Sequence, residues 1–175
     1  MGLTRSLSEA SVVVTGASSG IGAATALALA EHGTAVTLAG RSGEALEILA
    51  ERCRKLGGRA ITVVTDVVDP VAMERLATRA AAEFGHVDAW INNAAVASAG
   101  LFDEIPVAEF RRVVEVALLG RAAGMRAALP YLRAAGGGVL VNVASTLAEM
   151  SMPYQAAYTA AKHAVRGLSD ALRQE

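Results

Sequence analysis

The sequence predicts a Rossmann-like α/β fold, in which a doubly wound parallel sheet is covered by helices on both faces. Short β-branched runs alternate along the chain with longer segments rich in alanine and leucine. The runs are apolar on both faces, as parallel strands between two helical layers require. Glycines follow the first three helical segments and end the fourth, at the points where a helix hands over to a strand.

The predicted elements run in regular alternation. The strand candidates are 11–15, 35–39, 60–65, 87–91 and 139–143. The helical segments, near 20–32, 43–56, 70–84, 107–134 and 153–173, are long enough for right-handed crossovers. Pro153 suits a first helical turn, whereas Pro130 lies inside the fourth segment and is expected to kink or end it. We expect a single domain over residues 1–175.

Composition agrees with one soluble domain. The 175 residues are 53% hydrophobic with a net charge of −1, and a chain of this length buries roughly 70% of the surface that it exposes when unfolded. No long block of like charge is present, so we expect no nucleic-acid partner and no membrane partner. Cys53 is the only cysteine and no signal sequence is found, so we expect a cytoplasmic protein.

A glycine-rich turn follows the first strand. The sequence from Thr15 reads Thr-Gly-Ala-Ser-Ser-Gly-Ile-Gly and ends at Gly22. Glycine permits a tight turn and lets backbone N–H groups approach a pyrophosphate, and the positive end of the next helix favours that charge. Such a turn in the first strand–helix unit indicates a dinucleotide site, with these candidate contacts: Gly16, Ser18, Ser19, Gly20, Ile21 and Gly22.

Residues after the second and third strands indicate which nicotinamide cofactor the site would bind. An NAD site usually carries an acidic residue after the second strand, but this sequence has Arg41 there. A guanidinium can bind a 2′-phosphate, so Arg41, with help from Ser18 or Ser19, favours NADP(H) over NAD(H), unless it is a solvated surface arginine. Asp66 and Val67 follow the third strand as further cofactor contacts. Asp66 would accept from the adenine amino group or else cap a helix.

A tyrosine and a lysine are spaced for proton chemistry. Tyr158 and Lys162 are four positions apart in a helical segment, which puts both on one face. An ammonium stabilises a phenolate, so the phenol becomes a usable acid or base closer to neutral pH. Ser145 lies thirteen residues before Tyr158, just beyond the fifth strand. Ligands of open α/β sheets bind outside such strand ends.

Four segments together resemble the ordered motifs of the short-chain dehydrogenase/reductase family: Thr15 to Gly22, Asn92 to Ala95, Asn142 to Ser145 and Tyr158 to Lys162. The resemblance implies an enzyme that moves a hydride between a nicotinamide cofactor, which Arg41 favours as NADP(H), and a ketone, aldehyde or secondary alcohol. It implies Tyr158 as general acid/base, Lys162 on the nicotinamide ribose, and Ser145 orienting the substrate oxygen. Asn93 would lie along the cofactor.

The sequence departs from that family at three places. Ala117 stands where the family has an asparagine that helps a water-mediated proton relay, and Ala95 replaces a glycine. Family members continue through two further strands and a substrate lid, whereas this sequence stops at Glu175, so we expect truncation before the last two strands. At the other end, Met1 and Gly2 begin a loose myristoylation pattern that arises easily by chance, and we expect a frayed tail.

Two other functions stay open. A non-catalytic NADP-binding module, regulatory or structural, would bind cofactor without turnover that depends on Tyr158. A nucleotide-sugar epimerase shares the tyrosine–lysine pair but normally spaces its glycines differently. The three histidines lack metal-ligand spacing, so we expect no metal. The apolar surface of segments 107–134 and 153–173 favours a homodimer or homotetramer.

Overall fold

A computed structural model describes residues 3–175 and confirms the predicted fold class. All strand pairs of its single sheet are parallel, and the strand order is β3-β2-β1-β4-β5. From β1 the chain adds β2 and β3 on one side of the sheet and then β4 and β5 on the other. The strand order therefore reverses between β1 and β4, and open α/β sheets form their ligand crevice at such a point. The strands are β1 (Ser11–Thr15), β2 (Ala35–Gly40), β3 (Arg59–Val64), β4 (Ala89–Asn92) and β5 (Val139–Asn142).

Helices cover both faces of this sheet, and alternate residues of β1 show how. Val12 and Val14 pack into a core formed with α1 and α2, whereas Val13 packs into the opposite core, with α3 and α5. Strand side chains alternate between faces, so a strand that is apolar on both faces is buried on both. The helices are α1 (Gly20–Glu31), α2 (Gly43–Lys55), α3 (Pro70–Phe84), α4 (Val107–Val114), α5 (Gly120–Ala134) and α6 (Ala156–Leu172).

The long fourth helical segment is interrupted, but not where we expected. Pro130 does not end this segment, since α5 continues through Pro130 to Ala134. Pro130 is exposed, so water can solvate the carbonyl that lacks its helical partner. The interruption is instead a widened turn at Glu115–Leu119, where the N–H of Gly120 donates to the carbonyl of Glu115, five residues back.

Two smaller expectations are also wrong. Pro153 precedes α6, which begins at Ala156, and therefore does not lie in its first turn. The described part of the N-terminal segment is docked rather than frayed: Thr34 donates to the Leu7 carbonyl at 2.8 Å, and Arg5 pairs with buried Asp88 at 2.5 Å. The myristoylation pattern begins at residues 1–2, outside the described residues. No helix within 3–175 is long and apolar enough to cross a membrane.

Candidate functional site

A cavity of about 360 Å³ lies at the carboxyl edge of the sheet. It is bordered by the glycine turn after β1, the ends of β2 and β3, the segment after β4, the residues after β5, and α6. Parallel strands bring sequence-distant segments to one edge, which explains how motifs from the whole chain converge. The predicted site residues that line it are Gly16, Ser18, Ser19, Ile21, Arg41, Asp66, Val67, Asn93, Tyr158 and Lys162; Gly20, Gly22 and Ser145 are outside this lining.

The glycine turn, residues Thr15 to Gly22, needs its glycines for different reasons. Gly16 has φ +63°, and a Cβ there would lie 2.7 Å from the Ala94 Cα. A Cβ on Gly22 would lie 2.3 Å from the Gly16 carbonyl oxygen. Gly20 has φ +54° with open space around it. Gly16 and Gly22 therefore allow close packing, while Gly20 allows a left-handed backbone at an open surface that a ligand can approach.

Asn93 braces this turn from the neighbouring strand. Its side-chain amide donates to the carbonyls of Thr15 and Gly16 at 3.2 and 3.1 Å, and its backbone N–H donates to the Thr15 hydroxyl at 3.0 Å. The resemblance implied that Asn93 lies along the cofactor. Asn93 does line the cavity, but its amide hydrogens are used to hold the turn in shape.

The N-terminus of α1 lacks the side-chain cap that the next two helices have. Ser42 accepts from the Ala45 N–H at α2, and Asp69 accepts from the Val71 N–H at α3. Ser19 occupies the corresponding position at α1 and accepts no such bond. Uncapped N–H groups and the helix dipole at the rim of a cavity form a place for an anion.

Charged residues surround the side of the cavity formed by β2 and β3. The Ala17 N–H donates to the Ala39 carbonyl at 3.0 Å, which ties the glycine turn to the end of β2, and exposed Arg41 follows. Asp66 pairs with Arg112 at 3.1 Å and accepts from the Val68 N–H. Partial burial raises the pKa of Asp66, but that N–H and the guanidinium charges outweigh burial and hold the pKa below its usual value.

The helix-capping alternative for Asp66 is wrong, because Asp69 caps α3. Asp66 instead closes a short turn by accepting from Val68, and it holds Arg112 against the cavity. Arg112 was missed from the sequence, since nothing local indicates that a residue of α4 reaches the end of β3.

Tyr158 and Lys162 meet at the opposite side of the cavity. The Lys162 Nζ lies 5.2 Å from the centroid of the Tyr158 ring. It donates to the carbonyls of Val143 and Ala144 at 2.7 and 3.3 Å, and only 1% of the residue is exposed. Burial, and then the positive charge of Arg121, lower the pKa of Lys162 from 10.5 to about 8.

Ser145 lies just beyond the carbonyls that hold Lys162. Its hydroxyl oxygen accepts from the Leu147 N–H at 3.2 Å and begins a short helical turn, Thr146–Ala148. The hydroxyl hydrogen remains free to donate. Ser145 thus has a local structural bond, and no bond donated by its hydroxyl is found within residues 3–175.

Sequence reasoning also missed Arg121, which is 2% exposed on α5. A signal was present, because Arg121 interrupts an otherwise apolar helical stripe of buried residues with spacings of three and four: Ala117, Gly124, Met125 and Ala128. A charged residue in such a stripe needs buried partners. Its partners are backbone carbonyls of Ala117 and Val143.

Comparisons with known proteins agree on one family. The sequence profile described as "short chain dehydrogenase" matches residues 10–175. The chain is 44% identical over 162 residues to a cis-4-hydroxycyclohexanecarboxylate dehydrogenase of Sinomonas cyclohexanicum, covering 92% of this chain and 65% of that protein. The chain therefore spans just under two thirds of the length of this relative.

Solved structures agree as well. A crystal structure of NAD⁺-bound xylitol dehydrogenase superposes with a TM-score of 0.92 at 31% identity, covering 96% of this chain and 65% of that one. An alcohol dehydrogenase from the archaeon Thermococcus sibiricus, complexed with 5-hydroxy-NADP, superposes with a TM-score of 0.88 at 33% identity, covering 94% and 70%. The two similar proteins thus differ in the nicotinamide nucleotide they hold.

Proposed function

The chain belongs to the short-chain dehydrogenase family, and we propose that it is the nucleotide-binding and catalytic part of an NADP(H)-dependent oxidoreductase. Its substrate would be a ketone or aldehyde in one direction and a secondary alcohol in the other. One observation carries the proposal: Tyr158 and a buried Lys162 share a cavity with the glycine turn. A proton-transfer pair is therefore next to a phosphate-binding turn.

The residues around the cavity fit a nicotinamide dinucleotide. Gly20 has an open left-handed backbone, and the N-terminus of α1 has no side-chain cap, so N–H groups are available to a pyrophosphate. Ile21 is 65% exposed at the cavity although it is apolar, which is consistent with a ligand that covers it. When bound, the cofactor would supply or accept the hydride.

The chain's own residues would then handle the proton and the charge. Tyr158 would give a proton to the substrate oxygen in reduction and take it back in oxidation. Lys162, anchored on two carbonyls, would hold its charge beside the phenolate and bind the nicotinamide ribose. Ser145 would use its free hydroxyl hydrogen to stabilise the developing negative charge on that oxygen.

Arg41 supports NADP(H) rather than NAD(H). It follows β2 at the cavity, where a 2′-phosphate attached to the adenine-side ribose would meet it. A guanidinium binds phosphate with several charge-assisted hydrogen bonds. Arg112 already pairs with Asp66, whereas no ion pair of Arg41 is found within residues 3–175, so Arg41 is the better candidate.

The first experiment is a fluorescence titration of the protein with NADPH and NADH, followed by a screen of carbonyl substrates. We expect NADPH to bind, and turnover to fall at least roughly a hundredfold in Tyr158→Phe. Tyr154→Phe is the matched control, because Tyr154 is exposed and does not line the cavity. NADPH binding without turnover that depends on Tyr158 would favour the non-catalytic module; no binding of either nucleotide would reject both functions.

A further inference from the structure

A second buried cation lies next to Lys162, and it has no assigned role. Arg121 donates from Nη1 to the Ala117 carbonyl at 2.7 Å and from Nη2 to the Val143 carbonyl at 3.1 Å. Lys162 donates to the same Val143 carbonyl. The two cations, called here the cation pair, therefore share one anchoring oxygen at the end of β5.

No carboxylate balances the cation pair. Arg121 and Lys162 are 2% and 1% exposed, and neither takes part in an ion pair within residues 3–175. Uncompensated buried charge is costly, and strongly perturbed charged groups cluster at functional sites. The Nε of Arg121 is also buried without an acceptor in the described chain, so the guanidinium is not fully satisfied by the scaffold.

The missing negative charge can form at Tyr158. The phenol ring lies 5.2 Å from the Lys162 Nζ. Arg121 and that Nζ both reach the Val143 carbonyl oxygen, at 3.1 and 2.7 Å, so this chain of contacts brings the charge of Arg121 near the phenol as well. On proton transfer Tyr158 becomes the anion that this region otherwise lacks. The favourable interaction is therefore absent in the phenol and present in the phenolate, which is what a catalytic proton transfer uses.

We propose that Arg121 is a positioning residue: it fixes Lys162 through their shared Val143 carbonyl, and its buried charge stabilises the Tyr158 phenolate. This inference rests on the proposed function of that site. Arg121 folds back onto the widened turn that contains Ala117, the position where an asparagine is absent. The guanidinium thus supplies fixed donors in a part of the site where the side chain at 117 offers none.

Two substitutions separate charge from geometry. Arg121→Met keeps an unbranched apolar side chain that reaches about as far as the arginine Nε, and it removes the charge and the donors. Arg121→Lys keeps the charge but loses the planar fork that binds two carbonyls at once. The matched control is Arg54→Met, because Arg54 also donates from two nitrogens to one strand carbonyl, that of Ala60, and lies away from the cavity.

We expect Arg121→Met to lower kcat by up to roughly a hundredfold, since small displacements of catalytic groups cost that much. The KM for NADPH should change less than kcat, because the glycine turn is untouched and Lys162 makes only one of the proposed cofactor contacts. Arg121→Lys should keep the phenolate stabilisation but recover kcat only in part. Arg54→Met should lower thermal stability and leave kcat unchanged. Unfolding curves for all three variants establish that they are folded, and Arg121→Lys decides if Arg121→Met does not fold.

A second measurement works without cofactor or turnover. The absorbance of tyrosinate is followed against pH, and the contribution of Tyr158 is the difference from Tyr158→Phe. The Tyr158 phenolate should form at higher pH in Arg121→Met than in the native protein, and Arg121→Lys should stay near the native curve. Several ionisable groups at the cavity or on elements against α6 are common to all variants and cancel: Arg41, Asp66, Glu109, Arg111, Arg112 and Glu115. Lys162 does not cancel, because the charge of Arg121 helps to lower its pKa. The titration is therefore repeated in a Lys162→Met background, where Arg121→Met should still move phenolate formation to higher pH.

The outcomes distinguish the two proposals. Unchanged kcat together with an unchanged Tyr158 titration in folded Arg121→Met would overturn the role of Arg121 and leave the proposed function intact. Absence of Tyr158-dependent turnover in the native protein would reject the proposed function. In that case the titration alone decides whether Arg121 stabilises the phenolate.

Discussion

The glycine turn and Lys162 of the cation pair line one cavity, but the turn and the cation pair are built in opposite ways. The glycine turn contains no charged side chain. It offers backbone groups to a ligand, and the Asn93 side-chain amide holds it in shape by donating to the carbonyls of Thr15 and Gly16 at 3.2 and 3.1 Å. The cation pair consists of two buried charged side chains, Arg121 and Lys162, on backbone carbonyls. A pyrophosphate already carries its charge, so neutral N–H groups at an open rim are enough to bind it. The phenolate that we propose for Tyr158 would be created inside the site, so its stabilising charges would have to be in place and shielded from water.

The largest expected effect tests the close packing of the glycine turn. Gly22→Ala places a methyl group 2.3 Å from the Gly16 carbonyl oxygen and 2.6 Å from the Asn93 Nδ2. We expect the free energy of unfolding to fall by about 3 kcal/mol, at the upper end for overpacking, and NADPH binding to be lost. Urea unfolding and fluorescence titration measure the two effects.

Gly20→Ala is the matched control for this prediction. It has open space but a φ of +54°, so it should cost only about 1 kcal/mol. Equal losses in the two variants would contradict the distinction between packing and backbone conformation in the turn.

The next prediction concerns the cost of the cation pair. The pKa of Lys162 is about 8 in the native protein and 10.5 as its ordinary value. Between these pH values the unfolded chain binds the proton more tightly, so native stability rises with pH, and the full cost of the buried charge is present below pH 8. The shift corresponds to up to roughly 3 kcal/mol.

Lys162→Met has no such titration and serves as the reference. Urea unfolding of both proteins from about pH 7 to about pH 11 gives the difference in unfolding free energy. We expect that difference to change in favour of the native protein as the pH rises through this window. A difference that stays flat with pH would show that Lys162 is not held in a destabilising environment.

A smaller effect tests the open rim where an anion would bind. Arg41→Ala should weaken NADPH binding by tenfold to a hundredfold, roughly 1.5–3 kcal/mol for hydrogen bonds to a charged group, and leave NADH binding unchanged. Arg52→Ala, at an exposed arginine of α2 outside the cavity, is the control. Equal weakening of both nucleotides would mean that Arg41 does not contact a 2′-phosphate.

The smallest effect compares two helix N-termini. Asp69 caps α3 through the Val71 N–H, so Asp69→Ala should lower stability by about 1 kcal/mol without changing nucleotide binding. Ser19 makes no capping bond at α1, so Ser19→Ala should leave stability unchanged and weaken NADPH binding severalfold. Thermal unfolding and the same titration measure the two effects. A reversal of the two results would contradict an anion-binding role for the N-terminus of α1.

The fold could be predicted closely because its signals are local. The five predicted strands were found within two residues at each end, since β-branched runs bounded by glycines depend on neighbours in sequence. Pro130 could not be interpreted from the sequence alone. Whether a proline ends a helix depends on whether water can solvate the carbonyl one turn earlier, which has lost its N–H partner. The docking of the N-terminal segment depends on Asp88, 83 residues beyond Arg5, which no local pattern encodes.

The candidate site could be predicted in part. Tyr158 and Lys162 were recognised by their spacing, and they do share a cavity with the glycine turn. Asn93 was expected on the cofactor but its amide hydrogens brace the turn. Arg112 and Arg121 were not predicted, because their partners lie 46 and 22 residues away and are reached only after α4 and α5 have packed on the sheet.

The sequence by itself determined the family, the order of strands and helices, and the residue types available for phosphate binding and proton transfer. Hydrophobic periodicity and glycine placement act over a few residues, so they can be read without knowing the fold. Only the tertiary structure decided which polar groups are left for chemistry. Asp69 rather than Asp66 caps a helix, and Arg121 and Lys162 share the Val143 carbonyl. The physical reason is that a buried charge or donor is defined by the partners it finds, and packing brings those partners together from distant parts of the chain.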